Sequence, residues 1–195
     1  MSQRKGYRGL KFEFNAPVTL GFVGICLAAM VANILTGGAA NHLLFTVYSA
    51  SFLNPLTWFR LVGHSFGHMD WNHLINNMMM ILLLGPMLEE KYGSGDLAIV
   101  ILVTAVLEGL VYCLLLPGQA LLGASGVVFA MILLSSITRT RDDAIPVTFL
   151  LVAILYIGRE VWQGLTLNDN ISHLGHIMGG AIGAALGFAL KKARG

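Results

Sequence analysis

Long apolar stretches with almost no charge dominate this chain and restrict the folds that are open to it. The first stretch runs from about residue 18 to residue 35, and a helix of that length, at ~1.5 Å per residue, covers most of a ~30 Å hydrocarbon core. Only 11% of the 195 residues are charged, against about 25% in a typical soluble domain. Together with a mean hydropathy of +0.74, these features predict an integral membrane protein.

Six apolar segments are predicted to cross the bilayer as helices of one bundle, so the expected fold is all-α, polytopic and a single domain. Their approximate bounds are 18–35, 73–88, 97–116, 125–137, 145–162 and 176–190. The remaining chain divides into a cytoplasmic N-terminal segment at 1–16, an outer loop at 36–72 and a cytoplasmic tail at 191–195. Because the loop mixes aromatic and apolar residues with proline, it is expected to lie in the membrane interface.

The first apolar segment has two interpretations. Basic residues precede it and small residues follow it, as in a secretory signal peptide. Its apolar core is longer than the roughly 7 to 15 residues usual in such a peptide. An uncleaved membrane span is therefore favoured.

The basic residues predict an orientation. With the N-terminus inside, only Arg60 and Arg159 of the twelve Lys and Arg residues lie outside, as the excess of positive charge in cytoplasmic loops requires. The expected location is a bacterial inner membrane with both termini in the cytoplasm. The net charge of +2 does not indicate nucleic acid binding. Cys26 and Cys113 lie inside apolar segments and are interpreted as packing residues.

Four polar side chains share one predicted depth near the outer face. The segments that contain His73, Ser125 and His176 all enter from outside, and Asn77 follows His73 by about one turn. Each residue also has a purely structural interpretation, because serine can bond back to a helix carbonyl and the others can cap or cross-link helices. Polar groups inside a bilayer cost free energy unless they are paired, so their coincidence favours a functional site.

The four residues fit the chemistry of acyl transfer. Ser125 supplies a nucleophile and His176 a base, since a serine hydroxyl becomes reactive when a histidine removes its proton. His73 and Asn77 are spaced i and i+4 on one helix face, and each can donate an N–H to an oxyanion. The backbone N–H of Ser125, near a helix start, is a third candidate donor.

No acidic residue is an obvious third member of the catalytic set, so the sequence predicts a Ser/His dyad that needs no metal or cofactor. The acids considered are assigned to the cytoplasmic side or to an outer loop: Asp142, Asp143 and Asp169. Glu108, inside the third segment, is interpreted as a hydrogen-bonded structural acid, with a role in a substrate or proton pathway as the alternative.

Glycines follow His176 at a helical spacing, at Gly179, Gly183 and Gly187. This spacing is common where membrane helices pack closely. Here it is expected to let the sixth helix approach the fourth until the imidazole reaches the hydroxyl. Bulk at Gly179 should therefore reduce activity before it reduces membrane insertion.

Three motifs taken together resemble the rhomboid family of intramembrane serine proteases. They are HSFGHMDWNHLINN, which carries His68, His73 and Asn77, then GASG at 123–126 and HIMGGAIG at 176–183. The resemblance extends from about residue 58 to residue 190. It implies a six-helix core with Ser125 as nucleophile and His176 as base. It also implies an oxyanion hole formed by His73, Asn77 and the Ser125 amide.

The resemblance further implies a set of supporting residues: His68, Gly123, Gly126, Phe129, Gly179 and Gly183. Phe129 stands where the family carries an aromatic residue packed under the histidine. The stretch WFR ending at Arg60 resembles part of the family's long first loop, and the stretch EEKYG resembles the end of its second helix. His173, one turn before His176, is the rival base, and the glycine spacing favours His176.

Members of this family cut transmembrane segments of other proteins near the outer face, which implies membrane-protein substrates and a lipid bilayer as partners. The fifth helix, including Trp162, or the loop after it is the implied gate. Two alternatives are a non-catalytic binding or chaperone module of the same fold, and a transporter or metal-handling protein that uses the six histidines. The intact Ser125 and His176 pair favours the protease, and no inverted repeat supports transport. The sequence does not indicate an oligomeric state.

Overall fold

A computed structural model describes residues 13–137, 144–166 and 172–194 of the chain. These residues form six α-helices: α1 Pro17–Leu35, α2 Pro55–Gly63, α3 Trp71–Leu115, α4 Ser125–Ser136, α5 Val147–Thr166 and α6 His173–Arg194. A π-helical turn at Asn41–Phe45, a 3₁₀ turn at His64–Phe66 and two short strands, β1 Val47–Tyr48 and β2 Ala120–Leu121, complete the fold. The all-α fold expected for this membrane protein is confirmed. The predicted cytoplasmic residues 1–12, 138–143 and 195 and the loop residues 167–171 lie outside the described residues.

Four of the described helices, α1, α3, α5 and α6, are long and apolar enough to cross a membrane. Helix α3 has 45 residues, which at ~1.5 Å per residue is about twice the length that one crossing needs. Its helical geometry is interrupted at Gly93, where φ is 80° and ψ is 156°, between the second and third predicted segments. Helix α4, with 12 residues, is shorter than the ~30 Å hydrocarbon core. The count of six spans therefore stays a prediction.

Polar side chains fix where three of the helices begin. The Glu89 carboxylate accepts the backbone N–H groups of Val18 and Thr19, at 2.9 and 3.0 Å, and so caps α1 from α3. Asp70 caps α3 by accepting the His73 backbone N–H at 2.8 Å. Ser172 accepts the N–H of the third residue of α6 at 3.1 Å, so this helix begins three residues before the predicted start at residue 176.

Helix α6 continues beyond the predicted span. The helix ends at residue 194, and its part that is apolar enough to cross a membrane ends at Leu190, as predicted. The stretch after the glycines is rich in alanine, leucine and lysine, which are strong helix formers. The assignment of 191–195 to a cytoplasmic tail stays a prediction.

The outer loop at 36–72 is a packed part of the fold. Strand β1 in this loop pairs antiparallel with β2, which directly precedes the serine-bearing helix α4. The Arg60 side chain is buried, donates from Nε to the Leu43 carbonyl at 2.9 Å and lies over the Tyr48 ring at 4.6 Å. These contacts hold the loop against the helices that carry the candidate site.

Helix α4 lies at the centre of the core, with ten of its twelve residues buried. It packs against α3, α5 and α6. Helix α5 is the opposite case, because Glu160 is its only buried residue. Most of its large apolar side chains are exposed, as expected for a helix at the lipid boundary of the bundle.

Candidate active site

Ser125 is the first residue of α4 and follows a glycine turn. Gly123 has a φ of 128°, which side chains other than glycine rarely adopt, and its N–H donates to the His64 carbonyl at 2.8 Å. A Cβ atom at Gly123 would lie 2.8 Å from His73 Nε2 and 3.9 Å from Ser125 Oγ. The missing side chain thus leaves the space in which the His73 ring and the Ser125 hydroxyl approach each other.

Glycines bring α6 against the backbone of α4. A Cβ atom at Gly179 would overlap the Gly126 carbonyl oxygen, and one at Gly183 would overlap the Ala130 carbonyl oxygen. Gly126 is itself constrained, because a Cβ there would overlap the Glu108 carboxylate. The two helices therefore meet at backbone distance beside the serine, as the glycine spacing predicts.

The His176 ring is fixed on two sides. It stacks on Phe129, with centroids 4.4 Å apart and planes at 7°, and Phe129 lies one turn after Ser125 on the same face of α4. The Nδ1 atom of His176 is 2.8 Å from Glu160 Oε2. Since a carboxylate only accepts, Nδ1 carries the proton and Nε2 keeps its lone pair.

One cavity of about 560 Å³ joins these groups. Its walls include all four predicted catalytic and oxyanion side chains together with the aromatic and acidic partners of the imidazole: His73, Asn77, Ser125, Phe129, Glu160 and His176. The Ser125 hydroxyl and the His176 imidazole share this space without a direct hydrogen bond, a separation that is common before substrate binds. His173, the rival base, is not among the cavity-lining residues.

Two side-chain donors face the cavity from α3. Asn77 Nδ2 is buried and has no hydrogen-bond partner within the described part of the chain. His73 Nδ1 accepts the Met69 backbone N–H at 3.5 Å, which leaves its proton on Nε2, the atom beside Gly123. Both donors are therefore available to an oxygen atom in the cavity.

His68 supports the His73 ring from the outer loop. Its ring meets His73 edge to face at 4.9 Å, and its Nδ1–H donates to the Phe66 carbonyl at 3.1 Å. Burial, with a smaller contribution from neighbouring His73, lowers the pKa of His68 to about 4. The side chain is therefore neutral at physiological pH and acts as a fixed packing partner.

Glu160 is the side chain at the candidate site that the sequence reasoning did not identify. Its Oε2 atom is 2.8 Å from Nδ1 of His176 and 2.8 Å from Nδ1 of His173. The sequence signal was present, because an acid inside an apolar segment is unusual. Pairing it with His176 requires knowing that α5 packs on α6, which no spacing within either segment reveals.

Two acidic groups complete the surroundings. Glu160, His173 and His176 have ligand atoms within 4.8 Å of one another and could hold a metal ion, although both imidazoles are already hydrogen-bonded to the carboxylate. Glu108 packs against Gly126, and its buried Oε1 has no hydrogen-bond partner among the described residues. The expected hydrogen bond of Glu108 is thus not found at this atom.

Comparison with known families matches residues 55–193 to the family described as the Rhomboid domain. The chain is 28% identical over 149 residues to Rhomboid-like protein 11, chloroplastic, of Arabidopsis thaliana, which covers 69% of this chain and 53% of that protein. It is 27% identical over 178 residues to Rhomboid protease GlpG of Yersinia pestis (strain Pestoides F), which covers 88% of this chain and 62% of that protein. The chain thus spans between 53% and 62% of the length of these curated relatives.

Proposed function

The chain belongs to the rhomboid family, and from that premise we propose that it is an intramembrane serine endopeptidase. Its substrates are membrane proteins, cut in or near their transmembrane segments. The observation that carries the proposal is the single cavity lined by Ser125, His176 and the side-chain donors of His73 and Asn77. A relative of this chain, Rhomboid protease GlpG of Yersinia pestis, is named as a protease, which supports the same activity.

In the proposed reaction, Ser125 Oγ attacks the scissile carbonyl carbon while His176 Nε2 takes the hydroxyl proton. The C–N bond of the tetrahedral intermediate then breaks, and His176 gives the proton to the leaving amine. The product is an ester on Ser125. Water attacks this ester with His176 again as base, which releases the acid and restores the hydroxyl.

The developing oxyanion is bound by donors that are already in position. Asn77 Nδ2–H, His73 Nε2–H and the Ser125 backbone N–H form the proposed hole. Donors fixed before the reaction need no reorganisation, and losing one typically costs about 3 kcal/mol of transition-state stabilisation. The unpartnered state of Asn77 Nδ2 supports this assignment.

The same proposal covers the site's surroundings in the membrane. The chain acts as one membrane domain, with both termini in the cytoplasm of a bacterial cell and the cavity near the outer face of the inner membrane. Because peptide groups inside a helix are hydrogen-bonded, a substrate segment unwinds locally before it is cut. The cavity also supplies the space for the water that hydrolyses the ester.

A fluorophosphonate probe, which reacts with activated serine hydroxyls, tests the assignment in detergent-solubilised protein. We expect the native chain to be labelled and Ser125→Ala and His176→Ala to remain unlabelled. His173→Ala is the matched control, because His173 shares the Glu160 contact but does not line the cavity, and it should still be labelled.

Cleavage of reconstituted transmembrane substrates by the same four proteins then tests the endopeptidase activity itself. Equal labelling of all four proteins would reject the catalytic assignment. Loss of labelling in His173→Ala together with retention in His176→Ala would move the base to the rival histidine.

A further inference from the structure

The second nitrogen of the His176 ring has a dedicated partner. Glu160 is 3% exposed and is the only buried residue of the otherwise outward-facing helix α5. Burying a carboxylate is costly unless it is hydrogen-bonded or paired. Its partners are imidazole Nδ1 atoms, so the free energy of burial is offset at the site itself.

One carboxylate oxygen serves two imidazoles. Glu160 Oε2 accepts from Nδ1 of both His173 and His176 at 2.8 Å. The two histidines are spaced i and i+3 and therefore lie on one face of α6. The bond from His173, which does not line the cavity, holds the carboxylate, and the bond from His176 orients the ring that does line it.

We propose that Glu160 is the positioning residue for His176, an inference that rests on the proposed function. The carboxylate keeps the proton on Nδ1, so that Nε2 is the basic nitrogen. It also stabilises the imidazolium that forms when Nε2 takes the Ser125 proton. Glu160 exchanges no proton with the substrate and acts only through the ring. Ser125, His176 and Glu160 are contributed by α4, α6 and α5, respectively.

Removal of a carboxylate in this role lowers the turnover rate by a characteristic factor. In serine proteases with a Ser-His-Asp triad, replacing the carboxylate by an amide lowers kcat by about 10⁴ because the imidazole adopts the wrong tautomer. Glu160→Gln makes the same carboxylate-to-amide change. We therefore expect a loss of the same order, about 10⁴-fold.

The experiment measures kcat and KM for cleavage of a transmembrane substrate in proteoliposomes, together with the fluorophosphonate labelling rate. Glu160→Gln is expected to lower kcat and the labelling rate about 10⁴-fold with KM unchanged. Glu160→Asp retains the carboxylate, and its kcat is expected to be at least tenfold higher than that of Glu160→Gln. Glu90→Gln, the same change at an exposed residue of α3, should behave as the native protein.

Thermal unfolding of every variant separates positioning from folding. If the carboxylate only stabilised the fold, Glu160→Gln would lower the melting temperature, the folded fraction would react at the native rate and Glu160→Asp would give no rescue. That pattern, or a native kcat in Glu160→Gln, overturns the inference.

His173→Gln keeps the inference testable if the Glu160 variants do not fold. This change removes the second donor to the carboxylate but keeps the bond between Glu160 and His176. It should lower kcat by less than about fivefold. A larger loss than in His176→Ala would overturn the assigned geometry. If the native chain neither reacts with the probe nor cleaves, both the proposed function and the role of Glu160 fail, whereas an active native chain with an unaffected Glu160→Gln rejects only the latter.

Discussion

At the scale of single residues, the most informative side chain is Asn77. It is 6% exposed, and its Nδ2 donor has no hydrogen-bond partner among the described residues. A buried donor without a partner costs about 1 to 3 kcal/mol of stability. In the proposed reaction, the oxyanion that forms at Ser125 is the acceptor for this donor.

Asn77→Ala is therefore expected to lower kcat by about 10² to 10³, with little change in KM, because the donor acts on the transition state. The melting temperature should not fall by the amount typical of a lost hydrogen bond, since Nδ2 makes none within the described part of the chain. Asn72→Ala, at an exposed residue of α3 that does not line the cavity, is the control. An equal loss of kcat in both variants would contradict the assignment of Asn77 to the oxyanion hole.

Sequence reasoning at this scale reached Ser125, His176, His73 and Asn77 because each lies at a motif position on a predicted helix. It did not reach Glu160, which is 16 residues from His176 and lies on another helix. The contact depends on how α5 packs against α6. Local periodicity carries no information on such a pairing.

At the scale of elements, the contact between α4 and α6 sets the geometry of the site. Gly179 and Gly180 are neighbours with opposite surroundings. A Cβ at Gly179 would overlap the backbone of α4, whereas a Cβ at Gly180 would have the Leu133 side chain 3.5 Å away as its nearest neighbour, an ordinary contact. The pair therefore isolates the helix approach from the general effect of adding a methyl group.

Gly179→Ala is expected to displace α6 from α4 and to lower the cleavage rate by about 10², because misplacement of a catalytic group by ~1 Å costs about that factor. Gly180→Ala should retain the native rate. Membrane insertion, measured by the fraction of protein recovered from washed membranes, should be native in both. A native cleavage rate in Gly179→Ala would show that the close approach is not needed.

Most elements followed from apolar length, and the earlier start of α6 has a local cause. This start depends on the Ser172 cap. The pairing of β1 with β2 was not predicted, because each strand has only two residues. Such short strands carry no readable alternation.

At the scale of the whole molecule, buried histidines link stability to pH. His64 and His68 lie in the outer region between α2 and α3 and are almost fully buried. Burial lowers the pKa of His64 and of His68 to about 4. In the unfolded chain these side chains bind protons near their ordinary pKa of ~6.5. The unfolded state therefore binds more protons than the folded state between these pH values.

The contribution of each histidine to the free energy of unfolding is therefore complete above pH ~6.5 and is lost as the pH falls toward 4. At pH 5 the loss is roughly 2 kcal/mol for each histidine. The melting temperature in detergent should fall between pH 7.5 and pH 5. His68→Gln should be less stable at pH 7.5 and should show a shallower dependence on pH than the native chain. Identical slopes for the two proteins would contradict a neutral, buried His68.

The attachment of α5 has one more consequence. Its single buried side chain is also the partner of the His176 imidazole. Any outward swing of α5 from its neighbour therefore takes the carboxylate away from the ring. In the proposed enzyme, substrate entry past a displaced α5 and positioning of the His176 base by Glu160 would therefore exclude each other.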